Sequence, residues 1–553
     1  MSMFCYQCEQ TSQGTGCTTM GICGKDPVTA ALQDMMVYIV KGISQYAYRA
    51  HQMGASDPEI DRKTLEALFM TLTNVNFDAD EHVSYIAELA ELLERARLFY
   101  EDTCHKKGEP IELVTGPAQF QASADRLELM KQAYDLNIKD RAGGDDIVGL
   151  QELVTYGVKG LAAYAHHAQL IGYTDPRIVS FVHEAFDYIS KPANEQSVDG
   201  LLKFALRAGE INLITMELLD KAHTETYGHP EPTSVRITPK AGKCILVSGH
   251  DIKSLYELLK QTEGKGINVY THGELLPALA YPELKKFSHL VGNYGGAWQN
   301  QVAEFADFPG AILMTTNCLK PPAETYKDRL FTMDVVGFSG ISKLYSYDYT
   351  DLIEAALKAP GFEKDGEDKT IMIGFARNAV LGVADKVIEA VKAGNIRHFF
   401  LIGGCDGAEF SRNYYTDLAE QIPADCAILT LGCGKYRFNM EEFGNIGAIP
   451  RLLDLGQCND AYSAVKIASA LADAFGCGIN DLPLSLVLSW FEQKAVAVLL
   501  SLLFLGVKNI RIGPNLPAFI TPAVLNVLVE SFALTPVGTP EKDLDTMLKL
   551  VSV

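Results

Sequence analysis

The chain has 553 residues and a net charge of −21, from 48 Lys and Arg against 69 Asp and Glu. At roughly 150 residues per domain this is length for three or four domains, and the acidic balance, without basic clusters, excludes nucleic acid as the main partner. Hydrophobic residues at 48% and charged residues at 21% describe a globular protein. The longest apolar stretch, Ala495 to Val507, is shorter than the about 20 residues that span a bilayer and reads as a buried helix. The N-terminus MSMFCYQCEQ has no basic segment followed by an apolar one. No membrane attachment and a cytoplasmic location are therefore expected.

Four of the twelve cysteines, Cys5, Cys8, Cys17 and Cys23, crowd into the first 23 residues among Gly14, Gly16 and Gly21. Without a secretory signal, such crowding points to a metal rather than to disulfides. Four thiolates suit a [4Fe–4S] cluster or tetrahedral zinc. Zinc ribbons usually pair two Cys-x2-Cys knuckles, and only one is present, which favours iron–sulfur. Cys104, Cys244, Cys426 and Cys477 have no such setting and read as small buried hydrophobes.

Residues 1–235 carry helical periodicity, in 32–53, 85–99, 127–134, 150–171 and 201–219. A repeat lies inside them. Residues 32–67 align without gaps on 150–185, an offset of 118, with 15 identities in 36 positions. Each copy ends a helix at Gly (Gly54, Gly172) and opens the next with Asp-Pro (Asp57-Pro58, Asp175-Pro176). Tandem helical bundles are expected, with His166 and His167 in ordinary helical roles.

A proline-bearing linker, 227–242, leads into short apolar runs alternating with helical segments. The runs are 245–248, 268–271, 312–315, 371–374, 399–402, 428–431, 452–455, 486–489 and 510–512. Strands alternating with helices give parallel sheets. The polar stretch 360–369 divides them into two Rossmann-like α/β domains, 236–365 and 366–553. The halves echo each other: ILVSGHD (245–251) with FLIGGCD (400–406), Gly273-Glu274 with Gly432-Cys433, and ILMTTNC ending at Cys318 with LLDLGQC ending at Cys458.

Ligands of open parallel sheets bind beyond the carboxyl ends of the strands. His250, Glu274, Cys318, Cys405, Cys433, Cys458 and Glu492 all follow predicted strands. Thiolates suit iron–sulfur units, whereas imidazole and carboxylate suit iron bound to nitrogen or oxygen. One mixed metal centre is expected where the two sheets meet.

The motifs FCYQCEQT, TGCTTMGICGK, LVSGHD, VYTHGELLPA, GNYGGAW, MTTNCLKP, GGCDGAEFSRNYYT, LGCGKYRFN, GQCNDAYSA and WFEQKAVAVLL closely resemble, in order and over nearly the whole chain, the hybrid cluster (prismane) proteins, the hydroxylamine reductase family. The short cysteine spacing resembles the class from strict anaerobes. The resemblance implies one [4Fe–4S] cluster on Cys5, Cys8, Cys17 and Cys23. It implies one hybrid [4Fe–2O–2S]-type iron–sulfur–oxygen cluster on His250, Glu274, Cys318, Cys405, Cys433, Cys458 and Glu492, with a persulfide on Cys405. It also implies reduction of hydroxylamine to ammonia and water, with nitric oxide as a further small nitrogen-oxide substrate. Glu492, Glu274 and His250 would flank the reacting site, and Lys494, matching the family lysine, would donate a proton from an ammonium whose pKa burial lowers. The family motif has Tyr where this chain has Phe491, which removes a hydroxyl. No NAD or flavin fingerprint stands out, so a separate electron-donor protein and a monomeric chain are expected. Two rival readings use the same residues: a nitric oxide-responsive S-nitrosylase or regulator, and a carbon monoxide dehydrogenase-like redox enzyme, whose helical-plus-two-α/β layout this chain resembles.

Overall fold

A computed structural model of the chain describes residues 2–550. The helical periodicity of the first part resolves into two three-helix units. The first is α1 (Pro27–Gln52), α2 (Pro58–Met70) and α3 (Ala79–Lys107). A connecting helix, α4 (Arg126–Tyr134), leads to α5 (Gly144–Leu170), α6 (Pro176–Ile189) and α7 (Val198–Tyr227). The second helix of each unit starts in the same way. Proline occupies the first turn, and Asp57 or Asp175 accepts hydrogen bonds from the backbone N–H groups behind it. The repeat extends beyond the sequence identity, because α3 shifted by the same 118 residues falls on α7.

Two six-stranded, all-parallel sheets follow. The first holds β2 (Lys243–Ser248), β3 (Ile267–His272), β4 (Leu290–Asn293), β5 (Ala311–Met314), β6 (Leu330–Met333) and β7 (Ser342–Leu344), in the order β4-β3-β2-β5-β6-β7. The second holds β9 (His398–Gly404), β10 (Cys426–Thr430), β13 (Leu452–Asp454), β14 (Leu484–Ser489), β15 (Arg511–Gly513) and β16 (Thr535–Pro536), in the order β13-β10-β9-β14-β15-β16. β11 (Asn445–Ile446) and β12 (Ile449–Pro450) form a small antiparallel pair between them in sequence. Ile245, Leu246, Val247, Phe400 and Ile402 are almost wholly buried, as expected of central strands covered on both faces.

Two expectations are corrected. The run 371–374 does not join the second sheet. Its strand β8 (Thr370–Ile373) pairs antiparallel with β1 (Thr233–Arg236) in a two-stranded ribbon. Met372 is 48% exposed, so the segment has one wet face and does not meet the demand of a doubly covered parallel sheet. The third echo between the halves also fails. Strand order equates β2 with β9, β3 with β10, β4 with β13 and β5 with β14. Cys318, after β5, therefore corresponds to Glu492, after β14, and not to Cys458. Four-residue apolar runs are too alike to fix such a match.

The apolar stretch near Ala495 is the helix Gln493–Phe504, which leaves β14 and packs on α5 and α7. The approach requires glycine. A Cβ on Gly160 would lie 2.4 Å from the Gln493 carbonyl oxygen, and one on Gly209 would lie 2.1 Å from that of Leu500. Ser501 Oγ donates to the Gly209 carbonyl at 2.8 Å, closing the contact. Gly209→Ala should therefore force α7 from this helix and cost about 1–3 kcal/mol. A lowered thermal unfolding midpoint is the expected reading.

Candidate metal centres

In both sheets the strand order reverses beside the central strand, at β2/β5 and β9/β14, the place where open α/β sheets bind ligands. His250, Glu274 and Cys318 follow β2, β3 and β5; Cys405, Cys433, Cys458 and Glu492 follow β9, β10, β13 and β14. All seven side chains line one small cavity, together with Trp298, Gly404 and Phe491. The turns stack closely because side chains are missing where they cross. Gly432 (φ 74°) would place a Cβ 2.4 Å from the Gly404 carbonyl oxygen, and Gly404 (φ 113°) would place one 2.2 Å from that of Ser489.

His250, Glu274 and Cys458 form the tightest part. Cys458 Sγ is 3.4 Å from His250 Nε2, and Glu274 Oε2 is 3.8 Å from the same nitrogen. The surroundings fix their aim. Thr316 Oγ1 lies 3.3 Å from His250 Nδ1, so Nε2 faces the cavity. Gln457 Nε2 donates to the carbonyls of His250 (3.2 Å) and Glu274 (2.5 Å). Glu274 Oε2 accepts from the Cys458 N–H at 2.7 Å, while its buried Oε1 has no partner. Glu492 caps the helix Gln493–Phe504, accepting from the Lys494 N–H at 3.0 Å. Trp298 and Phe491 cover the cavity with ring centroids 4.7 Å apart.

Electrostatics shows what this set lacks. Burial, then Glu274 and the neighbouring sulfurs, pushes the Cys433 thiol far above its ordinary pKa. Burial does the same at Cys318 and Cys458, against the pull of Lys494. Four sulfurs and two carboxylates in one buried cavity face the ammonium of Lys494. Thiols held protonated by burial become ligands only when a metal displaces their protons and supplies the matching positive charge. The orphaned Glu274 Oε1 is a further free donor. The residues present therefore fit an iron–sulfur–oxygen group.

Lys494 is buried, as its sequence reading supposes, but the direction of its pKa differs from that reading. Burial works to lower its pKa, but Cys458, Glu492, Cys318 and Glu274 outweigh that and raise it. Its Nζ donates to Asn317 Oδ1 at 3.3 Å. His167 is buried in α5, packed on Phe69, with its ring 6.2 Å from that of His250, and burial and then Lys494 push its pKa well below the ordinary value. His166 instead pairs with Asp334 at 2.7 Å. Thr316 and Asn317 lie in MTTNCLKP and Gln457 in GQCNDAYSA, but sequence reasoning assigns none of them, nor Tyr164, a role at the site. Their only signal is adjacency to ligand-type residues or a place in the repeated helix. A largely apolar cavity of about 80 Å3, lined by Leu401, Leu488, Val498 and Leu502, reaches Cys405 and Cys458.

The N-terminal cysteines form a separate group. Cys5 and Cys17 exchange backbone hydrogen bonds of 3.1 and 2.8 Å. The Ser12 N–H points at Cys17 Sγ from 3.4 Å. Burial, then Cys23, Cys5 and Cys17, drives the Cys8 thiol well above its ordinary pKa, so the four sulfurs face one another. Two hydrogen bonds join the segments of the two groups: the Glu9 N–H donates to the Phe491 carbonyl at 3.0 Å, and the side-chain Gln493 Nε2 donates to Gln7 Oε1 at 2.9 Å.

Behind the N-terminal group, Lys25 Nζ donates to Gln33 Oε1, and Gln33 Nε2 faces His82 Nε2 at 3.2 Å. Burial lowers the His82 pKa to about 4. Its native pKa lies below the unfolded value near 6.5, so its contribution is present above pH 6.5 and lost as pH falls through about 4. The stability difference between the wild-type chain and His82→Gln, measured in urea, should shrink by about 3 kcal/mol from pH 7 to pH 4.

The model of the Prismane/CO dehydrogenase family matches residues 3–545. The chain belongs to this family. It is 55% identical over 554 aligned positions to a hydroxylamine reductase of Burkholderia ambifaria (strain MC40-6), with 99% of each chain covered. It is 54% identical to a hydroxylamine reductase of Rhodospirillum rubrum, again with 99% of each covered. Among solved structures, a Ni-free carbon monoxide dehydrogenase from Thermococcus sp. AM4 matches with a TM-score of 0.57 at 17% identity, covering 99% of this chain and 90% of that one. That likeness establishes the shared fold. Membership of the family implies iron–sulfur clusters. Among the described residues, no helix is long and apolar enough to cross a membrane.

Proposed function

We propose that this chain is an iron–sulfur oxidoreductase that reduces hydroxylamine to ammonia and water with two electrons and two protons. The observation that carries the reading is the convergence of seven side chains of metal-ligand type in a single buried cavity. The name borne by full-length relatives at 54–55% identity supports it. Cys5, Cys8, Cys17 and Cys23 would hold one [4Fe–4S] cluster. His250, Glu274, Cys318, Cys405, Cys433, Cys458 and Glu492 would hold one hybrid [4Fe–2O–2S]-type cluster, with Cys405 as the persulfide position. The reading divides the chain into a helical part, 1–235, and α/β parts 236–365 and 366–553.

When bound, the hybrid cluster supplies electrons and a Lewis-acidic iron. The chain's own residues do the rest. Lys494, buried beside the cavity with its Nζ donating to Asn317 Oδ1, can pass a proton to the nitrogen or oxygen of the substrate. Trp298 and Phe491 shield the site from water, and Phe491 itself contributes no hydroxyl. Thr316 and Gln457 hold His250 and Glu274 in place. Electrons come from a donor protein at the N-terminal group, where Met20 and Ile22 beside Cys23 are exposed.

The apolar cavity that reaches Cys405 and Cys458 favours small uncharged substrates, which supports nitric oxide as a second one. The test uses anaerobically loaded protein with a reduced viologen dye. Ammonia should form one for one with hydroxylamine consumed. Failure of fully iron-loaded protein to form ammonia overturns the reading. Transfer of nitric oxide to a protein thiol without turnover would support the regulator instead.

A further inference from the structure

A second group of metal-ligand side chains lies outside both centres, where the two helical units meet. His51 closes α1, Asp61 lies in the first turn of α2, and His183 lies in α6. Their ligand atoms all lie within 4.8 Å of one another. Asp61 Oδ1 is 3.2 Å from His183 Nε2 and 3.5 Å from His51 Nε2. The two rings cross at 5.1 Å between centroids.

These separations match a coordination sphere. A tetrahedral zinc with bonds near 2.1 Å to nitrogen and oxygen sets its ligand atoms about 3.4 Å apart. The second nitrogen of each ring is also held. Ser44 Oγ lies 3.0 Å from His183 Nδ1, and Ser180 Oγ lies 3.1 Å from His51 Nδ1. Such outer partners fix the tautomer that turns Nε2 toward a metal. A hydroxyl serves both states, because it can donate to Nδ1 without an ion and accept from it with one. The protonation states suit binding as well. Burial keeps His183 neutral; it also opposes ionisation of Asp61, but hydrogen bonds from His183 and His51 outweigh it and hold the carboxylate charged. Access exists: the His51 and Asp61 side chains are 10% and 19% exposed, while that of His183 is fully buried.

We propose that His51, Asp61 and His183 form a binding site for one divalent transition-metal ion, of which zinc best fits two imidazoles and one carboxylate, with water in the remaining position. The ion would clamp α1 and α2 of the first helical unit to α6 of the second. This role is structural and separate from the iron centres.

The test is a zinc titration of the cluster-loaded protein by calorimetry, beside Asp61→Asn and the milder His51→Gln. The wild-type protein should bind zinc with a micromolar or tighter dissociation constant, and each variant should bind one ion fewer or at least about 100-fold more weakly. Zinc should also raise the thermal midpoint of the wild-type protein and not of His51→Gln. Hydroxylamine reduction should be unchanged in His51→Gln, which separates failure of this site from failure of the proposed activity. Zinc binding equal in wild type and His51→Gln, or no binding below 100-fold molar excess, overturns the proposal.

Discussion

Replacing Glu492 with Gln is expected to lower hydroxylamine turnover about 100-fold or more while most of the iron stays bound. The substitution keeps the shape of the side chain. Its amide oxygen can still accept the Lys494 N–H that Glu492 Oε2 accepts at 3.0 Å, so the helix Gln493–Phe504 keeps its cap. What is lost is an anion inside a cavity where Glu492 is 3% exposed. A hard carboxylate suits iron bound to oxygen and can move aside, whereas an amide is a poor ligand. Glu274→Gln should act in the same direction, because the Oε1 of Glu274 is the orphaned donor of the cavity. Iron content and turnover must be measured on the same anaerobic preparations. Full activity with full iron in Glu492→Gln would remove Glu492 from the ligand set and from the chemistry.

The sequence made the centre legible for a physical reason. A ligand that follows a buried strand is marked by a short apolar run, a glycine and a polar residue, as in ILVSGHD before His250 or FLIGGCD before Cys405. The repeat in the helical part was legible because its punctuation, Gly then Asp-Pro, is set by backbone geometry at helix ends. Pairing between strands was less legible. Nothing local told that β8 would leave the second sheet for β1, or that β5 would match β14, since partner choice depends on residues far away. Lys494 shows the same limit. Burial alone predicts a lowered pKa, and only the acidic groups of distant segments assembled around it reverse the direction. The His51–Asp61–His183 group was invisible because each residue sits singly in an amphipathic helix, and their meeting is a product of helix packing.

Changing Cys8 to Ser should abolish the paramagnetic signal of the N-terminal centre and leave that of the hybrid centre in place, with about four of about eight irons retained. Cys433→Ser should do the reverse, since Cys433 lies among Glu274 and the sulfurs of Cys318, Cys405 and Cys458. The two sets are held by different parts of the fold. Cys8 sits in a loop organised by the Cys5–Cys17 backbone pair, whereas Cys433 begins a turn after β10. Serine at position 8 leaves the neighbouring links intact: the Glu9 N–H still reaches the Phe491 carbonyl, and Gln7 still accepts from Gln493. The hybrid cavity therefore keeps its walls. Turnover driven by a donor protein should fall to background in Cys8→Ser if, as proposed, electrons enter at the N-terminal group. A small dye that reaches the second centre directly should restore part of it. Loss of both signals from a chain that keeps its helical circular dichroism would mean that the two ligand sets hold one interdependent centre, and the division drawn here would be wrong.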